Sequence, residues 1–269
     1  MKNKLTDAIV ETVLECGKIM LEATQIESGI EVKEGKANIV TVYDKKVQEE
    51  LKIRLKKILP EAHFVGEEDE VHEAIDKGYA FIVDPIDGTT NFMKGYQASA
   101  ISVGLILNGE PYIGVVYNPY RKEVFCAKTG EGAYKNGERI YSSKHSLEEG
   151  IVLIGTAPYY RELADVSFEM ARYFFDFAMD IRRSGSAAID LCDVACGRAE
   201  LFFEYKLCPW DYAAGGLIVT EAGGSVWTFG GEKPAYDNKS TYIACGEQVA
   251  KHIIFENNKP IYNQKAEEL

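Results

Sequence analysis

The chain is poor in the residues from which small proteins build staples. Its 269 positions include 4 His and 6 Cys, and Cys16, Cys126, Cys192, Cys196, Cys208 and Cys245 contain no C-x-x-C pair. A zinc module needs Cys and His in tight clusters and a disulfide scaffold needs a dense cysteine framework, so neither is expected to hold the fold. Cys192 and Cys196, one helical turn apart, read instead as small apolar core residues. No stretch approaches the run of about 18 apolar residues that a membrane-crossing helix requires. Asp7, Glu11 and Glu15 interrupt the apolar positions near the start, which argues against a secretory segment, and a cytoplasmic location is expected. Positive charge is also scarce: 30 Lys and Arg stand against 42 Asp and Glu, for a net charge of −12. Phosphate backbones and anionic bilayers demand a basic footprint, so neither nucleic acid nor membrane is an expected partner. A small phosphorylated substrate remains compatible if metal cations bridge the like charges.

What is present is an ordinary globular mix, 46% hydrophobic and 27% charged, in a chain long enough to bury about 70–75% of its unfolded surface. Leu5, Ala8, Ile9, Val13, Cys16, Ile19 and Met20 recur at three-and-four spacing, as do Val47, Leu51, Leu55, Ile58 and Leu59 ahead of Pro60. That spacing predicts two amphipathic helices. Residues 28–38 between them lack apolar periodicity and read as an exposed loop. From residue 62 the runs shorten to strand length at 63–65 and 79–83. Residues 101–107 and 112–117 flank Asn108-Gly109 as a hairpin, and an antiparallel meander continues past a second Asn-Gly pair at Asn136-Gly137. Beyond 151–154, helices are expected at about 161–177, 186–197, 211–222 and 247–256, with strands at about 199–204, 224–228 and 241–245. The division expected is residues 1–145, an α+β half carrying most of the candidate ligands, and residues 146–269, a smaller α/β half. With no Pro-, Gly- or Ser-rich linker between them, they are expected to pack as one unit.

Three acidic clusters sit where strands or helices end: Gly66-Glu67-Glu68, Asp84-Pro85-Ile86-Asp87-Gly88-Thr89-Thr90, and Trp210-Asp211. The apolar run 81–83 delivers Asp84 to a strand end, Pro85 fixes φ, and Gly88 permits an otherwise costly angle. A stiff turn is therefore expected to aim Asp84 and Asp87 at one spot. A helix starting at Gly88-Thr89-Thr90 would point its free N–H groups and positive end there too. Carboxylates for hard cations beside donors for an anion are what a metal-assisted phosphate site requires. Singly, each cluster also has a structural reading, as an Asx-type cap, a solvated acidic pair or a helix N-cap. Their conjunction favours the site.

These motifs, with Asn91-Phe92 and Tyr212-Ala213-Ala214-Gly215-Gly216 completing the last two, resemble the signatures of the inositol monophosphatase family. The likeness covers nearly the whole chain, through Gly130-Glu131-Gly132-Ala133 and Arg183-Ser184-Gly185-Ser186-Ala187-Ala188. The resemblance implies a layered αβαβα sandwich of the inositol monophosphatase and fructose-1,6-bisphosphatase type. It also implies a lithium-sensitive phosphomonoesterase using two or three Mg²⁺ ions, and a homodimer. Carried over by position, Glu67, Asp84, Asp87, Asp211 and the Ile86 carbonyl would hold the ions, and Gly88 and Thr89 would cradle the phosphate. Asp44 would hydrogen-bond Thr89, and that pair with Glu67 would orient the attacking water. Lys33 and its loop would close over the site. Ser186, Ala187 and Glu204 would line the pocket for the alcohol part, with Asp211 also touching it. Asn38 stands where the family often has Asp, a lost charge that bears on an outermost metal or on loop closure.

The chemistry is consistent with this. A phosphate monoester needs a nucleophile, charge neutralisation and leaving-group help together, which Mg²⁺ on oxygen ligands can supply. No plausible Cys-His or Ser-His arrangement is evident, so direct attack by water without a phosphoenzyme is expected. Inositol 1-phosphate leads the expected substrates, followed by fructose 1,6-bisphosphate or another sugar phosphate. A 3′(2′),5′-bisphosphate nucleotidase ranks third, because that branch often has Lys-Glu-Phe after Asp-Gly-Thr, where this chain has Thr90-Asn91-Phe92. Glu204 and residues 158–165 are the positions that would decide. A different class of function is a non-catalytic protein that binds RNA, a polymerase or a regulatory partner. Acidic charge speaks against RNA, and a complete ligand set speaks against a retired site.

Overall fold

Both expected amphipathic helices form: α1 (Lys4–Leu21) buries Ile9, Val13, Cys16 and Met20, and α2 (Val42–Ile58) buries Val47, Leu51 and Leu55. A computed structural model describes the chain over residues 4–24, 30–32 and 39–264. Part of the segment expected to be a loop is a strand, since β1 (Ile30–Val32) pairs antiparallel with β2 (Ile39–Thr41). Three residues are too few for a two-residue period to register in the sequence. Lys33 and Asn38 lie outside the described residues.

The first sheet holds β3 (His63–Gly66), β4 (Tyr79–Asp87), β5 (Ala100–Leu107), β6 (Glu110–Asn118), β7 (Glu123–Lys128), β8 (Gly132–Lys135) and β9 (Glu138–Ile140), side by side in chain order. The β3–β4 pair is parallel and the others are antiparallel. Between β4 and β5 comes one short helix, α3 (Thr89–Met93). Asn108 and Gly109 close the β5–β6 hairpin with φ of 53° and 81°, the two positive angles of a type I′ turn.

Strands and helices then alternate as β10 (Ile151–Ile154), α4 (Ala164–Phe175), β11 (Asp180–Arg182), α5 (Ala187–Ala195), β12 (Leu201–Leu207), α6 (Pro209–Glu221), β13 (Ser225–Trp227), β14 (Ser240–Cys245) and α7 (Glu247–Ala250). A hairpin of β15 (Ile253–Glu256) and β16 (Lys259–Tyr262) follows. The second sheet has the order β11-β10-β12-β14-β13. The helix expected at 247–256 is corrected to a single turn, because Asn257 and Asn258, both at positive φ, fold residues 253–256 back onto β16. An Asn-Asn turn signal outweighs the apolar spacing there. Strand β11 has no counterpart among the expected elements.

Alternation along the strands assigns the layers. Ile101, Val103, Ile113 and Val115 pack with α1 and α2 on one face of the first sheet, while Gly104 and Gly114 meet α6 on the other. A Cβ on Gly114 would stand 2.6 Å from the Ala214 carbonyl oxygen. A Cβ on Gly215 would stand 2.8 Å from Leu191 of α5. Larger residues here would wedge the layers apart, typically at about 1–3 kcal/mol. In β12, Leu201 and Phe203 pack with Phe174 of α4 and Val249 of α7, while Phe202 joins the core of α5 and α6. The result is the expected αβαβα sandwich, with α1/α2 outside the first sheet, α5/α6 between the sheets and α4/α7 outside the second. Among the described residues no helix is long and apolar enough to cross a membrane.

Candidate active site

The far end of β4 carries two acids. In a regular strand, positions three apart point to opposite faces, yet Asp84 and Asp87 line one cleft. The pairing slips between them: Asp84 stands opposite Ser102 and Asp87 opposite Ala100, a bulge that resets the alternation. The segment expected to be a stiff turn is thus a bulged continuation of the strand, where Pro85 fits because a bulge does not require every ladder donor. Gly88 turns the chain at φ 86°, and a Cβ there would stand 2.9 Å from the Ala98 carbonyl oxygen, so angle and space both demand glycine. Helix α3 has only 5 residues. Its dipole is therefore slight, and the anion donors expected there reduce to the N–H groups of one turn.

Glu67 follows β3, and its N–H donates to the Val83 carbonyl at 3.0 Å, which extends the parallel pairing and sets Glu67 beside Asp84. Asp211 comes from the first turn of α6, where its Oδ2 accepts the Cys208 N–H at 2.6 Å. Carboxylate oxygens of Asp84, Asp87 and Asp211 lie within 4.8 Å of one another. Asp87 is seated on the start of α5: its Oδ2 accepts the Ser186 hydroxyl and the Ala188 N–H, both at 2.6 Å. Ser186 also caps α5 by accepting the Ile189 N–H at 3.3 Å. A serine ahead of an apolar helical run is a legible cap, but its meeting with Asp87 across the fold is not.

Burial and repulsion from Glu67, Asp87 and Asp211 push the Asp84 carboxyl well above its ordinary range. Asp211 rises for the same reasons, with Asp87 and Glu67 as its neighbours. Burial lifts Asp87 only to about 6, because the bonds from Ser186 and Ala188 favour its charged form. A divalent cation would relieve this repulsion, and hard carboxylate oxygens with the Ile86 carbonyl close by suit Mg²⁺.

Asp44 lies behind the cleft wall, fully buried. Its Oδ2 accepts the Thr41 N–H at 2.8 Å and the Thr41 hydroxyl at 2.5 Å, which caps α2, and its Oδ1 accepts the Thr89 hydroxyl at 3.1 Å. The Thr89 hydroxyl is also 3.1 Å from the Ile86 carbonyl oxygen. Burial pushes Asp44 up to about 6.

The opposite wall belongs to the second sheet. Glu204 of β12 accepts the Ala157 N–H at 2.7 Å and is raised by burial to about 7. Ala157 has φ 41°, unusual for a residue with a Cβ, and the loop it bends brings Pro158, Tyr159 and Tyr160 to the cleft. The cleft measures about 500 Å³, a size suited to a small molecule. Glu67, Asp84, Ile86, Asp87, Gly88, Thr89, Ser186, Ala187, Glu204 and Asp211 all line it. Cys208 does too, but burial pushes its thiol up to about 12, so it stays protonated. Sequence reasoning missed Asp190, which lines the cleft four positions after Ser186 on the same face of α5, buried and with one oxygen unpartnered. It also missed Lys206 and Lys239 on the outer wall.

Sandwich and acid-lined cleft together define a class of layered α and β proteins with one acidic small-molecule site. The sequence profile of the inositol monophosphatase family matches residues 1–260, and the chain belongs to that family. It is 37% identical to an inositol-1-monophosphatase of Synechocystis sp. over 241 residues, 89% of this chain and 82% of that protein. It is 35% identical to the Nus factor SuhB of Escherichia coli K12 over 224 residues, 82% of this chain and 84% of that protein. The crystal structure of the extragenic suppressor protein suhB from Bartonella henselae matches with a TM-score of 0.84 at 33% identity, over 92% of this chain and 95% of that one.

Proposed function

We propose that the chain is a Mg²⁺-dependent phosphoric monoester hydrolase of small polyol phosphates, with inositol 1-phosphate its first substrate. The observation that carries this reading is the convergence of acids from β4 and α6 to within 4.8 Å in one cleft, with Glu67 on the same wall. Family membership and the relative named inositol-1-monophosphatase support it. Bound by Glu67, Asp84, Asp87, Asp211 and the Ile86 carbonyl, two or three Mg²⁺ ions would supply Lewis acidity to water, phosphate and leaving oxygen.

The chain's own groups hold and orient the reactants. Above pH about 6 Asp44 is ionised and accepts the Thr89 hydroxyl, whose lone pairs then serve as an acceptor for a water hydrogen. Glu67 is the second acceptor for that water. First-turn N–H groups at Gly88 and Thr89 face the phosphate. Glu204, fixed through one oxygen by Ala157, offers the other to hydroxyls of the alcohol, beside Ser186 and Ala187 at the start of α5. A lithium-sensitive cytoplasmic homodimer completes the reading.

Phosphate release from inositol 1-phosphate, fructose 1,6-bisphosphate and adenosine 3′,5′-bisphosphate, in Mg²⁺ and in a chelator, tests it. Release that needs Mg²⁺ is expected. Release that survives the chelator, or none from any ester, overturns the proposal, as does trapping of a phosphorylated residue in a single turnover for direct water attack. A second role as an interaction protein is favoured by the relative named Nus factor SuhB. A pull-down with and without Mg²⁺ tests that role separately.

A further inference from the structure

The loop after β10 brings to the cleft a hydroxyl that has no task so far. Its backbone is held on both sides of Tyr159. Ahead of that residue, the Gly155 N–H donates to the Phe203 carbonyl at 2.8 Å and the Ala157 N–H donates to Glu204 at 2.7 Å. Pro158 then fixes φ. Behind it, the Tyr160 N–H returns to the Ala157 carbonyl at 2.8 Å, and the Tyr160 hydroxyl accepts Lys239 Nζ at 2.5 Å. Tyr159 itself is 47% exposed and lines the cleft. Burial of its hydroxyl, then the charges of Glu67, Asp211, Asp84 and Asp87, push this phenol above its ordinary range. Those four charges form the acid wall, so the ring leaves the loop on the alcohol side and its tip faces the acids.

Two other hydroxyls beside the acids have their hydrogens engaged, Ser186 on Asp87 and Thr89 on Asp44. The Tyr159 hydroxyl makes no hydrogen bond among the described residues. A phenol keeps its hydrogen at neutral pH and is therefore a ready donor. What it donates to follows from its place. In an ester bound across this cleft the phosphate lies with the acids and the alcohol with Glu204, and the bridging oxygen is where the two walls meet. A side chain that starts on one wall and points at the other reaches that junction. We infer that Tyr159 is a catalytic residue that donates a hydrogen bond to the leaving oxygen of the ester. The inference rests on the phosphatase reading and deepens it. As water adds to phosphorus, the ester P–O bond breaks and its electron pair stays on the alcohol oxygen. The alcohol leaves with a proton released by the attacking water, while the phenol retains its own. A donor aimed at charge that grows during the reaction lowers the barrier most where that charge is largest.

The test compares single-turnover rates of the wild type and Y159F, in Mg²⁺, on p-nitrophenyl, phenyl and methyl phosphate and on inositol 1-phosphate. Phenylalanine keeps the ring and removes the donor. One hydrogen bond to a developing alkoxide is worth about thirtyfold, so Y159F should be slower by that factor on methyl phosphate and inositol 1-phosphate. On p-nitrophenyl phosphate, whose leaving oxygen is stable without help, the loss should stay below about twofold. Phenyl phosphate should fall between them, which steepens the dependence of rate on leaving-group acidity. An equal loss on every ester, or no loss, overturns the inference and leaves the phosphatase reading standing. A loss on inositol 1-phosphate with methyl phosphate spared moves the phenol to a ring hydroxyl and overturns it too. Absence of Mg²⁺-dependent release from every ester in the wild type brings down the phosphatase reading, and the role of Tyr159 with it.

Discussion

The two walls of the cleft are built on opposite plans. On the acid wall, Asp84, Asp87 and Thr89 are near neighbours in the chain, and backbone or hydroxyl donors fix Asp87 and Asp211. The bulge, the positive φ of Gly88 and the caps of two helices leave these side chains little freedom. Across the cleft, Glu204 and Lys206 come from β12 and Lys239 from the residue ahead of β14, and the loop after β10 is shaped by the strained Ala157. Of these three side chains, Glu204 is tied down by a backbone N–H, whereas the two lysines end in flexible ammonium groups over one ring. A wall that must place charge to within fractions of an ångström is over-determined by backbone geometry. A wall that chooses among alcohols can work through long side chains.

Two substitutions on the acid wall should have the largest effects, and should not depend on the ester. Asp87→Asn removes the charge of a proposed ligand while its shape can still meet Ser186, so kcat should fall by about three orders of magnitude or more on every phosphate ester tested, with little change in far-ultraviolet circular dichroism. A loss confined to one ester would move Asp87 to the selective wall and dissolve the contrast. Thr89→Val keeps the shape and deletes the hydroxyl that Asp44 accepts. A fall of about a hundredfold in kcat on all esters is expected, the usual weight of one proton-handling group. Unchanged kcat would remove the Thr89–Asp44 pair from the reaction.

The same contrast explains what can be read in advance. The acid wall is legible because its signals are contiguous: an apolar run, Pro85, a glycine and hydroxyls follow one another between residues 81 and 90. Even so the backbone there differs from the stiff turn expected, since bulge and turn share the same proline and glycine vocabulary and only the register against Ser102 and Ala100 separates them. The outer layer is legible because α1 and α2 carry the three-and-four spacing of half-buried helices, whereas β12, α5 and α6, buried on nearly every side, carry no clean period. The contacts that pass unseen are encounters between distant segments. Ser186 meets Asp87, and Lys206 meets Tyr160, only after both sheets have formed. Short strands such as β1 and β11 are defined by pairing alone.

Mg²⁺ should separate the walls by stability as well as by rate. The acid wall concentrates repulsion that a bound cation offsets, so ligand linkage predicts about 2.7 kcal/mol of stabilisation at a hundredfold excess over Kd. For a domain near this size that is a rise in Tm of about 5 °C or more, measurable by calorimetry at pH 7.5 with and without chelator. D87N should lose most of the rise. K206Q and K239Q, on the other wall, should keep it. A Tm insensitive to Mg²⁺ in the wild type would mean that the acids are accommodated without a cation.

The smallest effect belongs to Glu204, and its sign is fixed by burial. Its carboxyl sits at about 7 in the folded chain against an ordinary 4.5, so the folded state holds this proton more tightly than the unfolded state does. Stability from this group is therefore full below pH about 4.5, is lost as pH rises towards 7, and stays lost above. The amide introduced by Glu204→Gln cannot ionise, and its oxygen can still accept the Ala157 N–H. Metal-free E204Q should thus match the wild type at pH 5 and exceed it at pH 8, by roughly 2 kcal/mol, read as diverging Tm values across that range. On esters, the same variant should shift the order among polyol phosphates while hydrolysis of p-nitrophenyl phosphate, which has no hydroxyls to engage, changes least. Parallel Tm profiles, or an equal loss on every ester, would place Glu204 with the acids it faces and leave the cleft with one working wall.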